Sequence, residues 1–564
     1  MAYIVRQKNK RGGIDVYYTT SHRIPGKTHP VQNRKYLGKL DIESSELLKN
    51  RKLSNLTADE LEALRRNGIM FKGRETSPPG RKSLSGPKIR IHEVRQWRTL
   101  EAGRVLVMKM LAEESGLLGA LEKAFGKQEA LEIFAVALFE CVENAALYRS
   151  ENWIDDTILA EENLAVSKSS VGRLVEETGS DEAAVSVFFH EWIKALGYPK
   201  VLVHDTTSIS SYAEKISLIE YGYNRDREKL PQLNFGMVYT AKEQLPLLYR
   251  LIPASIPDVS TLKGTSRLLE EYGLKHFTYA LDRGYYSKAN ILDMLAEKIR
   301  FTIGAPLYVS DIKKILNKHR SRLEKIESGL LVGDESYRYG KDILLLKGEK
   351  KRGRSHKLGV HIFMNRKRRS QAIHELDTLL LSIQDQFKRV AFKNKAEAQE
   401  WCEEKFPVKS SLYEIQRRKG KFELKVLEDA YAEKIKNLGI FIILNSDPKA
   451  DALDTLYANR KRDAVEKLFD ILKNSTPNRR LHAASDTKVK GKMFIAFIAV
   501  ILHALMENKL RKQGLINSIT VNQAFDLLRK IRVGITSGGE KILQEIPSKT
   551  RKLLENMNIT LPKM

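Results

Sequence analysis

Three acidic residues stand where carboxylates can act on phosphodiesters. Asp205 closes an apolar run, Val201-Leu202-Val203-His204-Asp205, and Asp282 closes another, Phe277-Thr278-Tyr279-Ala280-Leu281-Asp282. Glu466 lies in an amphipathic helical pattern, with Arg462 four residues before it and Lys473 seven after. An aspartate ending a doubly buried strand sits at the carboxyl edge of a sheet, where α/β active sites form. Two carboxylates brought together there repel each other, and a cation between them removes the conflict. Magnesium is the natural ion, since it takes a few carboxylates plus water and phosphate oxygens. For either aspartate alone, a strand-end turn or a helix cap is the simpler reading. The weight rests on the set of three, which is the metal-binding arrangement of a nuclease-like fold.

The glutamate's helix adds to that weight. Val465, Leu468, Phe469 and Leu472 fall at i, i+3, i+4 and i+7 and form a core-facing stripe. Asn459, Arg462, Glu466 and Lys473 share a different face, because offsets of three, four and seven return to nearly the same side. The acid can complete a metal site, and the two cations beside it can hold phosphates. An ordinary surface ion-pair set has the same spacing. The two aspartates and the basic chain favour the chemical reading.

The elements that must position these residues are legible in outline. Strand signals run at 200–205, 233–240, 246–252, 277–282 and 300–304, with helical patterns near 260–272 and 287–298. Three adjacent strands followed by helix-crossed strands give a ribonuclease-H-like α/β sheet. From about 311 to 436 basic helices mix with short strands such as Asp342–Leu346 and Val360–Met364. Strand character returns at Gly439 to Leu444, just before the Glu466 helix, so the stretch between reads as an insertion.

Upstream, residues 3–7 and 14–20 alternate around a basic tip and predict a hairpin, with a helix near Ala58–Asn67. Residues 73–90, rich in Gly, Ser, Pro and cations, read as a linker. From Val94 to Gly197 the pattern is helical. Leu117, Leu118, Leu121 and Phe125 share a face, and Leu131 to Cys141 is nearly all apolar. Ser167 or Ser169 is placed to cap a helix whose Lys168 and Arg173 would reach phosphates, although a plain scaffold helix is the favoured reading. The tail from Asn508 to Met564 reads as helical and basic.

Composition narrows the class. Lys and Arg number 97 against 70 acidic residues, a formal net charge of +27, and so large an excess attracts polyanions, nucleic acid first. A chain of 564 residues, 42% hydrophobic, can build about three to five cored modules and is no disordered polyelectrolyte. Its two cysteines, Cys141 and Cys402, exclude a disulfide framework and a cysteine-based zinc site, which fits a reducing compartment. The first residues lack the apolar core of a signal peptide. The most apolar stretch, Met493 to Leu505, is shorter than the roughly 20 residues a membrane span needs and reads as a buried helix.

With these residues in view, the chain resembles the DDE transposases of bacterial insertion sequences, in the branch with a Tyr-x2-Arg-x3-Glu-x6-Lys signature. Arg462-x3-Glu466-x6-Lys473 matches; Asn459 takes the tyrosine's place, and the nearest tyrosine, Tyr457, is two residues early. Further segments follow in the same order. They are Gly222-Tyr223-Asn224-Arg225-Asp226, Pro231 to Gly236, Pro246-Leu247, Asp258, Thr261-Leu262, Asp282-Arg283-Gly284-Tyr285-Tyr286-Ser287 and Gly439 to Asn445. Upstream, Arg34-Lys35-Tyr36-Leu37-Gly38 looks familial too.

The resemblance implies a ribonuclease-H-like mixed-sheet core interrupted by an insertion domain, with an N-terminal hairpin and helical DNA-binding modules. The expected division is 1–90 (hairpin module and basic linker), 91–198 (helical, DNA-binding), 199–310 (core, first part), 311–438 (insertion), 439–510 (core, second part) and 511–564 (C-terminal helical tail). It implies Asp205, Asp282 and Glu466 as catalytic metal ligands for two magnesium ions, which manganese can replace, and Arg462 and Lys473 as phosphate-binding residues. The implied activity is cleavage at element ends and joining of 3′ hydroxyls to target DNA, by a homodimer, in the cytoplasm of a prokaryote and with no membrane partner. The residues also admit a catalytically idle DNA-binding regulator, or a ribonuclease-H-fold nuclease without strand transfer. His204 is expected to pack beside its strand. Trp401 is expected to pack, with base stacking the less favoured role.

Overall fold

In a computed structural model the chain divides into two compact units, Met1–His92 and Glu93–Met564. The structure describes residues 2–9, 13–23, 30–41, 45–49, 56–71, 97–213, 216–222, 230–254, 258–347, 355–406, 410–418, 420–461, 463–475, 480–536 and 538–562; for 49, 258–260, 410, 463–466, 474–475 and 480 it describes the backbone only. The expected linker at 73–90, the Tyr223–Asp226 part of one familial segment and Arg462 lie outside the described residues.

The first unit is an antiparallel sheet of β1 (Ala2–Lys8), β2 (Ile14–His22), β3 (Val31–Asp41) and β4 (Glu46–Lys49), in that order. The expected hairpin is its first half. A helix, Ala58–Arg66, begins at Thr57, whose side chain accepts from the Glu60 N–H while Glu60 accepts from Thr57. Ala63 and Leu64 of this helix pack with Ile4, Val16, Leu37 and Leu47 of the sheet. One face of the sheet is therefore core.

The second unit opens with β5 (Arg98–Glu101) and the expected helices. Gly103–Glu114, Leu117–Glu143, Lys168–Ser180 and Glu182–Ala195 are the longest of them. Ser167 caps the third of these, accepting from the Ser170 N–H. They enclose the helix Asp486–Lys512, whose residues from Met493 to Met506 are all buried. The apolar run alone reads as too short for a membrane, yet the helix is long and apolar enough to cross one by length and composition. Its burial against the surrounding helices identifies it as a core helix.

The sheet that follows is built from β6 (Val201–Ser211), β7 (Gln232–Thr240), β8 (Pro246–Pro253), β9 (Thr278–Leu281) and β10 (Arg300–Ala305), with helices Asp258–Glu271 and Lys288–Ala296 as crossovers. Their spatial order is β8-β7-β6-β9-β10, with β6, β9 and β10 parallel and β7 reversed. This mixed α/β order fits a ribonuclease-H-like core. β7 is buried along its whole length, as a doubly covered strand requires.

The stretch expected as an insertion divides. β11 (Gly329–Val332), β12 (Glu335–Lys347) and β13 (Ser355–Asn365) do not leave the sheet but extend it. The helices Arg366–Lys388, Lys395–Lys405 and Glu428–Lys436, with β14 (Tyr413–Arg418) and β15 (Lys421–Val426), form a small core of their own. Trp401 packs there against Phe387, Phe392 and Phe406. β16 (Ile440–Asn445) runs antiparallel between β13 and β10, and so joins the two parts of one ten-stranded sheet. β12 and β13 join the sheet because Val360 and Ile362 need the same burial as Ile442 and Leu444 beside them.

Helices Ala452–Arg460 and Asp463–Asp470 follow, then β17 (Arg480–Leu481), a short parallel partner of β6. The tail is not all helical. Beside helices Val521–Leu528 and Ser548–Asn556 it contains β18 (Arg532–Ile535) and β19 (Lys541–Leu543), which pair with β5 in a three-stranded sheet. The pairing partner lies more than 400 residues earlier, and no local pattern carries that information.

Candidate active site

The ladder between β6 and β9 places the two aspartates. Val201 pairs with Thr278, Leu202 with Tyr279, Val203 with Ala280 and His204 with Leu281. The next residues on the two strands are Asp205 and Asp282. Parallel neighbours stand about 4.8 Å apart, so the two carboxylates leave adjacent strands at the same level. Asp282 ends its strand as expected. Asp205 does not: β6 continues to Ser211, held by β7 and β17, and Asp205 sits mid-strand at the level where β9 stops. The apolar run marked the depth of burial, not the end of the strand.

A tyrosine ties the two positions together. Asp282 turns the chain by accepting from the Gly284 N–H (3.2 Å), and that turn delivers Tyr285 into the core. Its hydroxyl lies 3.1 Å from His204 Nδ1 and 3.0 Å from Thr206 Oγ1. His204 and Thr206 flank Asp205, and in a strand they point to the face opposite it. Asp205 Oδ1 also accepts from the Thr206 N–H at 2.8 Å. His204 is buried beside its strand, as expected.

The glutamate's element lies beside them. Helix Asp463–Asp470, which carries Glu466, packs against β6, and helix Ala452–Arg460 packs against β9, β10 and β16. Leu468, Phe469 and Leu472 are buried, as the stripe required. The side chains of Val465 and Glu466 lie outside those described. The single straight helix expected to align Asn459, Arg462, Glu466 and Lys473 is broken. One helix ends at Arg460, the next begins at Asp463, and Lys473 lies in a π-helical turn, Ile471–Ser475. A π turn advances each residue by less than the 100° of an α-helix, so seven residues no longer return to one side. Lys473 is half-buried there.

A cleft of about 410 Å³ opens next to Asp282, lined among others by Arg283, Arg368, Asn459 and Arg460. Arg460 is fixed by Glu335 and by the Tyr337 hydroxyl, with its guanidinium 5.1 Å from that ring's centre. The Tyr337 hydrogen bond holds the Glu335 carboxyl below its usual range; burial opposes this, and Arg460 adds to it. A second cleft of about 400 Å³ shares Arg460 and adds Tyr457, Lys461, Lys467 and Arg511. Burial, then the charge of Arg511, depresses the Lys461 ammonium. Tyr457 carries the Lys461 ammonium 5.1 Å from its ring centre. The motif pointed to Arg462 and Lys473 and missed Arg368, Arg460, Lys461 and Arg511. The run Asn459-Arg460-Lys461-Arg462 was the available signal for two of them.

Hard carboxylate oxygens on neighbouring strands, beside a cation-lined cleft, suit divalent ions with phosphate as the remaining ligand. Among the described residues no three His, Cys, Asp or Glu side chains group closely enough to hold a metal ion. The Glu466 side chain is not among those described.

Comparison with known proteins identifies the family. The family model described as a transposase DDE domain matches residues 198–502, which span β6, its neighbours and the Glu466 helix. That is more than half of the chain, and the protein belongs to this family of DDE transposases. No curated protein matches it. Among solved structures, the chain is similar to the piggyBac transposase synaptic complex with hairpin DNA, at 11% identity and a TM-score of 0.34, over 78% of this chain and 77% of that one.

Proposed function

We propose that the protein is a cut-and-paste enzyme of a bacterial insertion sequence in the Tyr-Arg-Glu-Lys branch, with Asp205, Asp282 and Glu466 as its catalytic carboxylates. The observation that carries this reading is the β6–β9 register, which sets two aspartates side by side inside the family-matched segment. The packing of the Glu466 helix against β6 supports the third member.

In this reading Asp205 and Asp282 present oxygens from a rigid sheet edge, and Glu466 approaches from the helix alongside. Two magnesium ions held there, or manganese in their place, would lower the pKa of an attacking water and stabilise the leaving 3′ oxygen. Arg462 and Lys473, together with Arg460 and Lys461, hold backbone phosphates by charge-assisted hydrogen bonds. Hydrolysis frees a 3′ hydroxyl at the element end. That hydroxyl then attacks a target phosphodiester, one P–O bond forming as another breaks, and no external energy source is needed. A homodimer would pair two ends, in the cytoplasm beside the nucleoid. Residues 366–438 are the best candidate for an insertion module, since they build a core of their own.

A strand-transfer assay with a labelled, pre-cleaved end tests the reading. Joined product in magnesium supports it. Cleavage without joining would indicate a nuclease, and binding without either would indicate a regulator.

A further inference from the structure

The N-terminal sheet has one face covered by its helix and one that the helix leaves open, and the two differ in chemistry. Lys35 reaches Glu60 on the helix (2.6 Å), and Val16, Leu37 and Leu47 pack beneath that helix. Alternation puts Tyr3 and Val5 of β1, Tyr17, Thr19 and Ser21 of β2, and Gln32, Arg34 and Tyr36 of β3 on the other side. Cross-strand pairing confirms that they are neighbours: Tyr3 with Thr19, Thr19 with Arg34, Ser21 with Gln32 and Tyr17 with Tyr36. The Tyr17 and Tyr36 rings lie 5.2 Å apart. Gln32 and Arg34 are exposed and Tyr3 is 39% exposed, while Tyr17 and Tyr36 are half-buried and Thr19 is fully buried among them. Asp15, a carboxylate near these tyrosines, is engaged by Asn9 and the Tyr36 hydroxyl.

Width decides what this face can enter. β4 pairs with β3 only from Gly38 to Asp41 and β1 pairs with β2 only up to Thr20, so the sheet is three strands wide from Asn33 to Tyr36 and two at Gln32. Three strands spaced about 4.8 Å apart span roughly 10 Å of backbone. The major groove of B-DNA is about 12 Å wide. Arg and Gln, two residues apart on one face, are the side chains that form paired hydrogen bonds to guanine and to adenine edges.

We propose that this open face lies in the major groove of duplex DNA and reads sequence there, with Gln32 and Arg34 contacting bases and Tyr3, Tyr17 and Tyr36 forming the floor between them. The proposal rests on the end-binding activity proposed above and deepens it by naming the reading surface. Charge complementarity favours DNA over a second copy of this basic chain.

The test selects a duplex library with a random 20-bp core on the full-length wild-type protein, then repeats the selection with Arg34→Ala, Arg34→Lys and Gln32→Ala. Arg34 and Gln32 are exposed, so these changes leave the fold intact. Wild type should enrich a motif. Arg34→Ala should relax one guanine position, with a loss of about 5- to 150-fold in affinity for the selected site. Affinity for unrelated duplex should barely change. Arg34→Lys should lose the same discrimination, because an ammonium lacks the planar fork. An unchanged motif in all three variants overturns the inference and leaves the proposed function standing. So does an unchanged motif accompanied by a loss of dimer mass on sizing, which would make the face a contact between copies. A wild-type protein that binds no duplex at all overturns both.

Discussion

Asp205 and Asp282 stand at the same level on adjacent parallel strands, one residue beyond the pair His204–Leu281. Main-chain register between the strands sets this relationship, and the Tyr285 hydroxyl ties the turn after Asp282 to the residues that flank Asp205. In the proposed reading, carboxylates set side by side share a cation with little reorganisation, which is how preorganised sites lower a barrier.

The carboxylates themselves give the most direct prediction. Asp205→Asn, Asp282→Asn and Glu466→Gln should each lower strand cleavage by more than about 100-fold, with element-end binding by gel shift largely retained. A triple carboxamide variant that still nicks ends in magnesium would sink the assignment.

Tyr285 should act as a positioning residue. Its hydroxyl joins the turn after Asp282 to the residues flanking Asp205. Tyr285→Phe should cost about 10- to 100-fold in cleavage rate and raise the magnesium concentration at half-maximal rate, while end binding is unchanged. A drop in thermal stability with no change in magnesium dependence would reduce the tyrosine to packing.

Two glycines let the buried helix Asp486–Lys512 touch its neighbour Lys168–Ser180. A Cβ on Gly491 would lie 1.7 Å from the Val175 carbonyl oxygen, and one on Gly179 would lie 2.0 Å from the Thr487 oxygen. Those obstacles are backbone and cannot swing aside. Gly491→Ala should therefore destabilise the second unit by at least about 1–3 kcal/mol, read as a lower denaturant midpoint.

Arg104 is buried between Glu101 and Glu143, at 2.7 Å from each. Both partners raise its pKa against the effect of burial. Arg104→Ala would strand two carboxylates and should cost about 3–5 kcal/mol. Replacing Arg104, Glu101 and Glu143 together by apolar residues should cost less than the single change, and chemical denaturation compares them.

His361 makes stability depend on pH. It is buried in the sheet, its Nδ1 3.0 Å from the Tyr339 hydroxyl, and burial, then the Lys341 charge, pushes its pKa down to about 4. Between about pH 6.5 and 4 the unfolded chain binds a proton that the folded one refuses. Stability should thus fall by about 3 kcal/mol as pH drops through that window. His361→Gln should flatten this part of the profile.

The sequence determined many of the elements and pointed to the candidate chemistry. Periodicity placed strands β6 to β10, a cap at Ser167 or Ser169 and the buried run 493–505, because burial and capping leave short-range patterns. It singled out Asp205, Asp282 and Glu466, because carboxylates beside apolar runs stand out in a basic chain. Only the tertiary structure decided what meets what. It paired β18 with β5 across most of the chain, and drew β12 and β13 into the main sheet. It broke the helix expected to align Asn459 with Lys473. It also brought Arg368 and Arg460 to the cleft beside Asp282, and Arg511 to the cleft that shares Arg460. Register and long-range pairing are settled by competition among buried faces over the whole chain, and no local window of residues records the outcome.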